Sequence, residues 1–167
     1  MKNRLENLVG ALGVALTDGM VNSFEGACEL SDNAPAALIL IRFNPDTRIE
    51  ALARYLDLSH SGTVRLVDRL VREGWVERQA CDDLRAVVLA LTRAGEKMVD
   101  KLIEGRNHAI ARALEGLSTA ERKTLEKLVS RMLVNLVPDR AAADHTCRLC
   151  DSSVCEKEGC PLDCRSV

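Results

Sequence analysis

The sequence has few aromatic side chains, which make up only 2% of its 167 residues. The four aromatic residues are Phe24, Phe43, Tyr55 and Trp75. A core built with so few rings must be filled mainly by Leu, Val, Ile and Ala. Most of these favour helices and interdigitate along helix seams. The shortage of aromatic residues therefore predicts a mainly α-helical protein.

The sequence also lacks a long apolar run. No stretch reaches the roughly 18 residues that a membrane-spanning helix needs. The N-terminal segment is interrupted by the charged residues Glu6 and Asp18, unlike the core of a signal peptide. We therefore expect no membrane partner and a cytoplasmic location.

A strong net charge is missing as well. The 23 Lys and Arg residues against 25 Asp and Glu residues give a net charge of −2. No overall electrostatic field then draws the protein to nucleic acid, and a DNA-binding protein of this composition must concentrate its positive charge on one surface.

Apolar residues at helical spacing predict six helices. Their approximate ranges are residues 3–22, 36–43, 48–57, 59–73, 92–117 and 118–137. Two of the helix starts carry the pattern of a capping box, Thr47 with Glu50 and Ser118 with Glu121. Ser59 is the expected N-cap of the fourth helix, and Gly74 is expected to end it.

A β-hairpin is predicted between the fourth and fifth helices. Residues 75–79 and 86–91 are strand-like, and the polar segment 80–85 between them predicts a turn. Helix, turn, helix and hairpin in this order predict a winged helix-turn-helix domain. The expected fold is mainly α with a small β-hairpin, in which long N- and C-terminal helices form a dimer.

The predicted organisation has four parts. Residues 1–30 form an N-terminal dimerisation helix, and residues 31–92 form the winged helix-turn-helix domain, with a recognition helix at about 59–73 and a wing at about 75–91. Residues 93–137 form further dimerisation helices, and residues 138–167 form a cysteine-rich tail.

The predicted recognition helix is polar along one side, as a helix in the major groove of DNA must be. Arg65 suits a bidentate contact with guanine, and Arg69 and Arg72 suit contacts with phosphates. The other candidate DNA-binding residues of this helix are Ser59, His60, Ser61 and Thr63.

Three segments together resemble a known family. They are Leu58–Leu70, then Glu73-Gly74-Trp75-Val76-Glu77-Arg78, and then Asp83-Leu84-Arg85 followed by Leu91-Thr92 and Gly95. In residue types and spacing they are similar to the multiple-antibiotic-resistance regulator (MarR) family of winged-helix repressors, and the similarity covers roughly residues 30–137.

The resemblance implies a role for each segment. On the wing, Arg85 is expected to enter the minor groove or grip phosphate, with Asp83 holding it in place. The first and last helices are expected to intertwine two protomers, and a small-molecule effector of unknown identity is expected between the dimer region and the winged domains. The glycine at position 62 and the tail after Pro138 depart from the family pattern.

The tail contains five of the seven cysteines, and its first two form a C-x2-C motif. This spacing lets two thiolates bind one metal ion. Three interpretations stay open: a metal site, with Zn²⁺ favoured over an iron–sulfur cluster, a set of redox-active thiols, or a tail without ligands. The candidate metal ligands are Cys147, Cys150, Cys155, Cys160 and Cys164.

These features predict a homodimeric, sequence-specific regulator of transcription. It is expected to act as a repressor on a pseudo-palindromic operator in double-stranded DNA, under control of a small molecule, a metal or a redox signal. The alternatives are a winged-helix module that binds a protein, or a metal or redox sensor without operator binding. An enzyme is not expected, because Asp57, Ser59 and His60 are neighbours in sequence and point in different directions rather than converging as a triad.

Overall fold

The computed structural model describes residues 3–25, 33–80 and 87–162. Within these residues the chain is mainly helical with one two-stranded sheet, as predicted. The elements are α1 (Arg4–Glu25), α2 (Ala34–Phe43), α3 (Ile49–Leu56), α4 (His60–Arg72), β1 (Val76–Ala80), β2 (Val87–Leu91), α5 (Arg93–Ala113), α6 (Thr119–Leu136), α7 (Arg140–Thr146), a 3-10 turn (Cys147–Leu149) and α8 (Ser152–Glu158). Along the described ranges, no helix is both long and apolar enough to cross a bilayer.

Helix α2 is the centre of the core. Its residues from Ala34 to Ile41 are all buried, which agrees with the near-continuous apolar sequence of this segment. The inner faces of α3, α4 and α5 complete the core with Leu52, Leu70 and Leu102, which are all fully buried. The core therefore joins the helix-turn-helix to the long helix α5.

Helix α3 does not begin with the predicted capping box. Arg48 is the N-cap, and no side chain caps the helix. Thr47 is buried instead. Its hydroxyl donates to the Asn44 carbonyl at 2.6 Å, and its own carbonyl accepts from the Leu89 amide of β2 at 2.8 Å. The Thr47–Glu50 prediction was wrong because Thr47 is held by the end of α2 and by the hairpin.

The hairpin packs directly against the start of α5. Strands β1 and β2 are antiparallel, with Val76 opposite Leu91 and Ala80 opposite Val87. At the base of the hairpin, a Cβ added to Gly95 of α5 would lie 2.0 Å from the Trp75 carbonyl oxygen. Only glycine permits so close an approach of the helix to β1.

Helices α5 and α6 are separate rods joined by a short turn. Helix α5 ends at Ala113, four residues before the predicted end at Leu117, because the chain turns at Gly116, which has a φ of +82°. Helix α6 begins with the predicted capping box. The Ser118 hydroxyl accepts from the Glu121 amide at 3.4 Å, and the Glu121 carboxylate accepts from the Ser118 amide at 2.8 Å.

Helices α1 and α6 expose apolar side chains. Helix α1 packs along α5, and its exposed apolar residues are Leu5, Leu8, Val9, Leu12, Val14 and Val21. Helix α6 has no buried residue, and Leu128, Val129, Met132, Val134 and Leu136 are exposed on it. Apolar helical surface of this extent is typical of an interface.

The tail folds back onto the helix-turn-helix, an arrangement that the sequence did not predict. Helix α7 contacts α3, and the 3-10 turn contacts α2. Asp144 of α7 is only 5% exposed. Its carboxylate accepts a hydrogen bond from the Arg140 guanidinium at 2.8 Å. The same carboxylate lies 3.9 Å from the Arg54 guanidinium on α3.

Candidate nucleic-acid interface

The start of α4 is shaped by its N-cap. As predicted, Ser59 caps the helix, and its hydroxyl accepts from the Gly62 amide at 3.1 Å. A Cβ at position 62 would lie 3.1 Å from this same hydroxyl oxygen. The glycine that departs from the family pattern therefore leaves room for the cap.

One flank of α4 is polar and exposed. Ser61, Arg65, Arg69 and Arg72 follow one another at intervals of four, four and three residues, so they lie along one side of the helix. All four are exposed, as is His60 in the first turn. The ion pairs found among the described residues include none of these three arginines. The flank therefore offers three guanidinium groups to an anionic partner.

Thr63 does not belong to this flank. Its side chain is fully buried, and its hydroxyl donates to the Ser59 carbonyl at 3.0 Å. The predicted contact of Thr63 with bases or phosphates was wrong. The buried face of α4 consists of Thr63, Leu66, Val67 and Leu70, whereas the predicted stripe began at Val64, which is only half-buried.

A connection between α4 and the wing was missed. The Arg78 guanidinium on β1 donates to the Asp68 carboxylate on α4 at 2.7 Å. This ion pair links the hairpin to the recognition helix. The sequence shows only two charged residues of opposite sign ten positions apart, and nothing local indicates that they meet.

The predicted contacts at the tip of the wing are untested. Asp83 and Arg85 lie outside the described residues. The role of Arg85 therefore stays a prediction.

The tail brings four of its five cysteines together. Cys147, Cys150, Cys155 and Cys160 are half-buried and line a cavity of about 700 Å³ between the tail and the α2–α3 corner. The fifth, Cys164, lies outside the described residues. Within the part of the chain that is described, no three His, Cys, Asp or Glu side chains are grouped closely enough to hold a metal ion. The metal site stays a prediction that depends on Cys164.

The cysteines of the cavity differ in acidity. A hydrogen bond from the Cys147 thiol lowers the pKa of Cys150 to about 6, and the positive charge of Arg106 on α5 acts in the same direction, against the effects of burial and of Asp151. Burial raises the pKa of Cys155, and negative charge at Cys160 and Cys150 adds to the effect. Cys150 is therefore the more readily ionised of the two.

Comparison with known proteins points to one family. The model of the MarR family matches residues 29–84. The transcriptional repressor MprA of Escherichia coli K12 is 29% identical over 82 residues, which are 48% of this chain and 47% of MprA. The uncharacterized HTH-type transcriptional regulator YfiV of Bacillus subtilis is 31% identical over 102 residues, which are 59% of this chain and 64% of YfiV. The chain thus spans about half the length of MprA and under two thirds of that of YfiV.

A solved structure extends the similarity beyond the winged domain. A MarR family protein from Bacillus stearothermophilus superposes with a TM-score of 0.70 over 79% of this chain and 92% of its own. The two sequences are 24% identical, so this likeness establishes the fold. The winged-helix segment at residues 29–84 is therefore similar in sequence to the MarR family, and the chain has the fold of a solved MarR family protein.

Proposed function

We propose that the protein is a homodimeric transcriptional regulator that binds double-stranded DNA and is not an enzyme. The observation that carries this proposal is the exposed flank of α4, where Arg65, Arg69 and Arg72 lie in line on the second helix of a helix-turn-helix. In this motif the second helix enters the major groove. A guanidinium pairs with the guanine edge there, and guanidinium groups further along the helix reach phosphates.

Dimerisation through α1 and α6 supports the same function. The exposed apolar side chains of both helices supply a surface that a second copy would bury. A two-fold dimer presents two recognition helices, and these fit successive major grooves when they lie about 34 Å apart. The operator is then pseudo-palindromic. Since MprA is named a repressor, we propose repression as the outcome of binding, in the cytoplasm where the DNA is found.

Control by a small molecule is the further element of the proposal. A cavity of about 640 Å³ lies between the end of α2, one side of α5 and the tail, and Arg42, Val99 and His108 are among its lining residues. Its volume suits a small ligand. A ligand that binds only one relative position of α2 and α5 would shift the population of DNA-competent dimers.

The proposal is tested by measuring DNA binding with three arginine variants. An operator is first selected from random duplexes with the full-length protein. Arg65→Ala is expected to cost about 1–3 kcal/mol on this operator and to relax base preference at one position, whereas Arg69→Ala should weaken all sequences alike and reduce the salt slope by about one.

The matched control is Arg112→Ala, which removes the same charge from the exposed last turn of α5. It should leave operator affinity unchanged. If Arg65→Ala and Arg69→Ala both bind the operator as the parent does, or if no duplex is selected, the proposal is wrong. A module that binds a protein remains as the second interpretation in that case, although the flank lacks the apolar anchors that such a helix presents.

A further inference from the structure

The cysteines that line the tail cavity are arranged in two pairs. Cys147 lies three residues before Cys150, Cys155 lies five residues before Cys160, and all four line one cavity. The two members of each pair therefore border the same space. A disulfide needs their Cβ atoms about 3.5–4.5 Å apart.

The backbone supports each pair independently of the other. Cys147 and Cys150 lie at the two ends of the 3-10 turn, which the Cys150 amide closes on the Cys147 carbonyl at 2.8 Å. Cys155 and Cys160 lie on either side of Gly159, which has a φ of +84° and whose amide donates to the Cys155 carbonyl at 2.9 Å. Two tight turns thus hold two dithiols, and this arrangement suits chemistry that needs two sulfurs at a time.

We propose that Cys147–Cys150 and Cys155–Cys160 are two reversible dithiol–disulfide sites that a hydroperoxide oxidises. One sulfur of a pair, as the thiolate, attacks the hydroperoxide. An S–O bond forms, the O–O bond breaks, and the leaving oxygen takes up a proton to give an alcohol or water. The second thiol then attacks the sulfenic sulfur, so that the S–S bond forms, the S–O bond breaks, and water leaves with the proton of that thiol. Each pair loses two electrons, which the peroxide gains.

The position of the pairs connects them to α3. The cavity that they line has Pro45, Thr47, Ala51 and Tyr55 on its opposite wall, so the thiols face the segment that leads into α3. Buried Asp144 of the tail also lines this cavity and lies beside Arg54 of α3. A disulfide that tightens the 3-10 turn therefore changes how the tail packs on the helix that supports α4. This consequence rests on the proposed DNA-binding function, whereas the disulfide sites do not.

The test uses the full-length protein, purified without oxygen and with its metal content measured. One equivalent of hydrogen peroxide per pair is added. The remaining thiols are counted, and peptide mass spectrometry identifies the linked cysteines. The parent protein should lose four of its thiols, while the C147S/C150S and C155S/C160S variants should each lose two. Dithiothreitol should restore all of them. Circular dichroism checks that each variant is folded.

Several results would overturn the proposed sites. These are sulfinic acid in place of disulfides, bonds that link the two pairs to each other or to other cysteines, bonds between chains, and tightly bound zinc that protects the four thiols. Operator affinity of the oxidised and reduced parent is measured separately, with at least a tenfold difference expected. If both disulfides form but the oxidised and reduced proteins bind the operator equally well, only the proposed effect of the tail on α3 is refuted. Correct disulfides in a protein that binds no duplex refute the proposed function and leave the sites in place.

Discussion

Arg78 on the first strand of the wing donates a 2.7 Å hydrogen bond to Asp68 on the recognition helix. Both side chains are partly exposed, and such pairs contribute at most about 1 kcal/mol to folding. Their importance is geometric, since the wing and α4 must contact the same duplex at a fixed relative angle.

This ion pair gives the first prediction. Asp68→Asn and Arg78→Gln should each weaken operator binding several-fold with little change in the unfolding midpoint, because the hairpin loses its side-chain link to α4. The double variant should bind about as well as either single variant, because both changes break the same contact. If the losses of binding free energy in the two single variants add up in the double variant, each residue contacts DNA on its own.

Thr63 gives the second prediction. Thr63→Val keeps the shape of the buried side chain and removes the hydrogen bond to the Ser59 carbonyl, so we expect a loss of about 1 kcal/mol in the free energy of unfolding. Base preference should not change, because the side chain cannot reach a duplex. Thr63→Ser, which keeps the hydroxyl, is the control for the hydrogen bond. Altered sequence selectivity with Thr63→Val would restore the role in DNA contact that the sequence suggested.

Gly95 gives the third prediction. In Gly95→Ala the new methyl group meets the Trp75 carbonyl oxygen at 2.0 Å, so α5 must move away from β1. Overpacking of this kind costs at least about 1–3 kcal/mol, measured by denaturant unfolding. Gly10→Ala on α1 is the matched control for contacts within one subunit, and both variants are compared at the same protein concentration because α1 belongs to the proposed dimer surface. Its methyl group meets nothing within 4 Å, and alanine in a helix is expected to add about 0.5–1 kcal/mol. Equal stability of the two variants would contradict the close approach.

Cys150 gives the fourth prediction, which concerns metal-free, reduced protein. The thiolate is the reactive form, so alkylation of Cys150 should become faster as the pH rises through about 6. Alkylation of Cys155, whose pKa is raised, should accelerate only above the ordinary thiol range near roughly 8.5. Mass spectrometry of each peptide after a short pulse of iodoacetamide measures both rates.

Arg106 is the control for the electrostatic part of this effect. Arg106→Gln should move the Cys150 midpoint to higher pH, and Arg106→Lys should keep most of the shift. If the two cysteines react with the same pH profile, neither the hydrogen bond from Cys147 nor the charge of Arg106 acts as described.

The parts of the fold that were predictable from sequence depend on local interactions. The helix starts at Ser59 and Ser118 were identified because a capping residue and its partner lie within three positions of each other. The hairpin was identified from its alternation. Where a distant element competes for a residue, the local pattern misleads. Thr47 has the sequence of a cap, but the end of α2 and strand β2 hold it in place.

The candidate interface shows the same division. The exposed arginines of α4 were predictable from the helical spacing of its polar residues. Whether Thr63 is buried or exposed depends on the exact rotation of the helix about its axis. A buried threonine that bonds to the backbone of its own helix looks like a polar surface residue in sequence. The ion pair of Asp68 with Arg78 and the packing of α7 on α3 both depend on tertiary contacts. No spacing rule in one sequence contains that information.

Helix α6 has no side chain in the core of its own subunit, and most of the stability of a helix in a protein comes from the packing of its apolar face. Under the proposed dimerisation, its folding is therefore subject to mass action, and the melting temperature should rise with protein concentration. At concentrations far below the dissociation constant, the amount of assembled protein grows as the square of the amount of chain. The rate at which the chain is synthesised therefore also controls the amount of dimer, because halving the amount of chain removes about three quarters of the dimers.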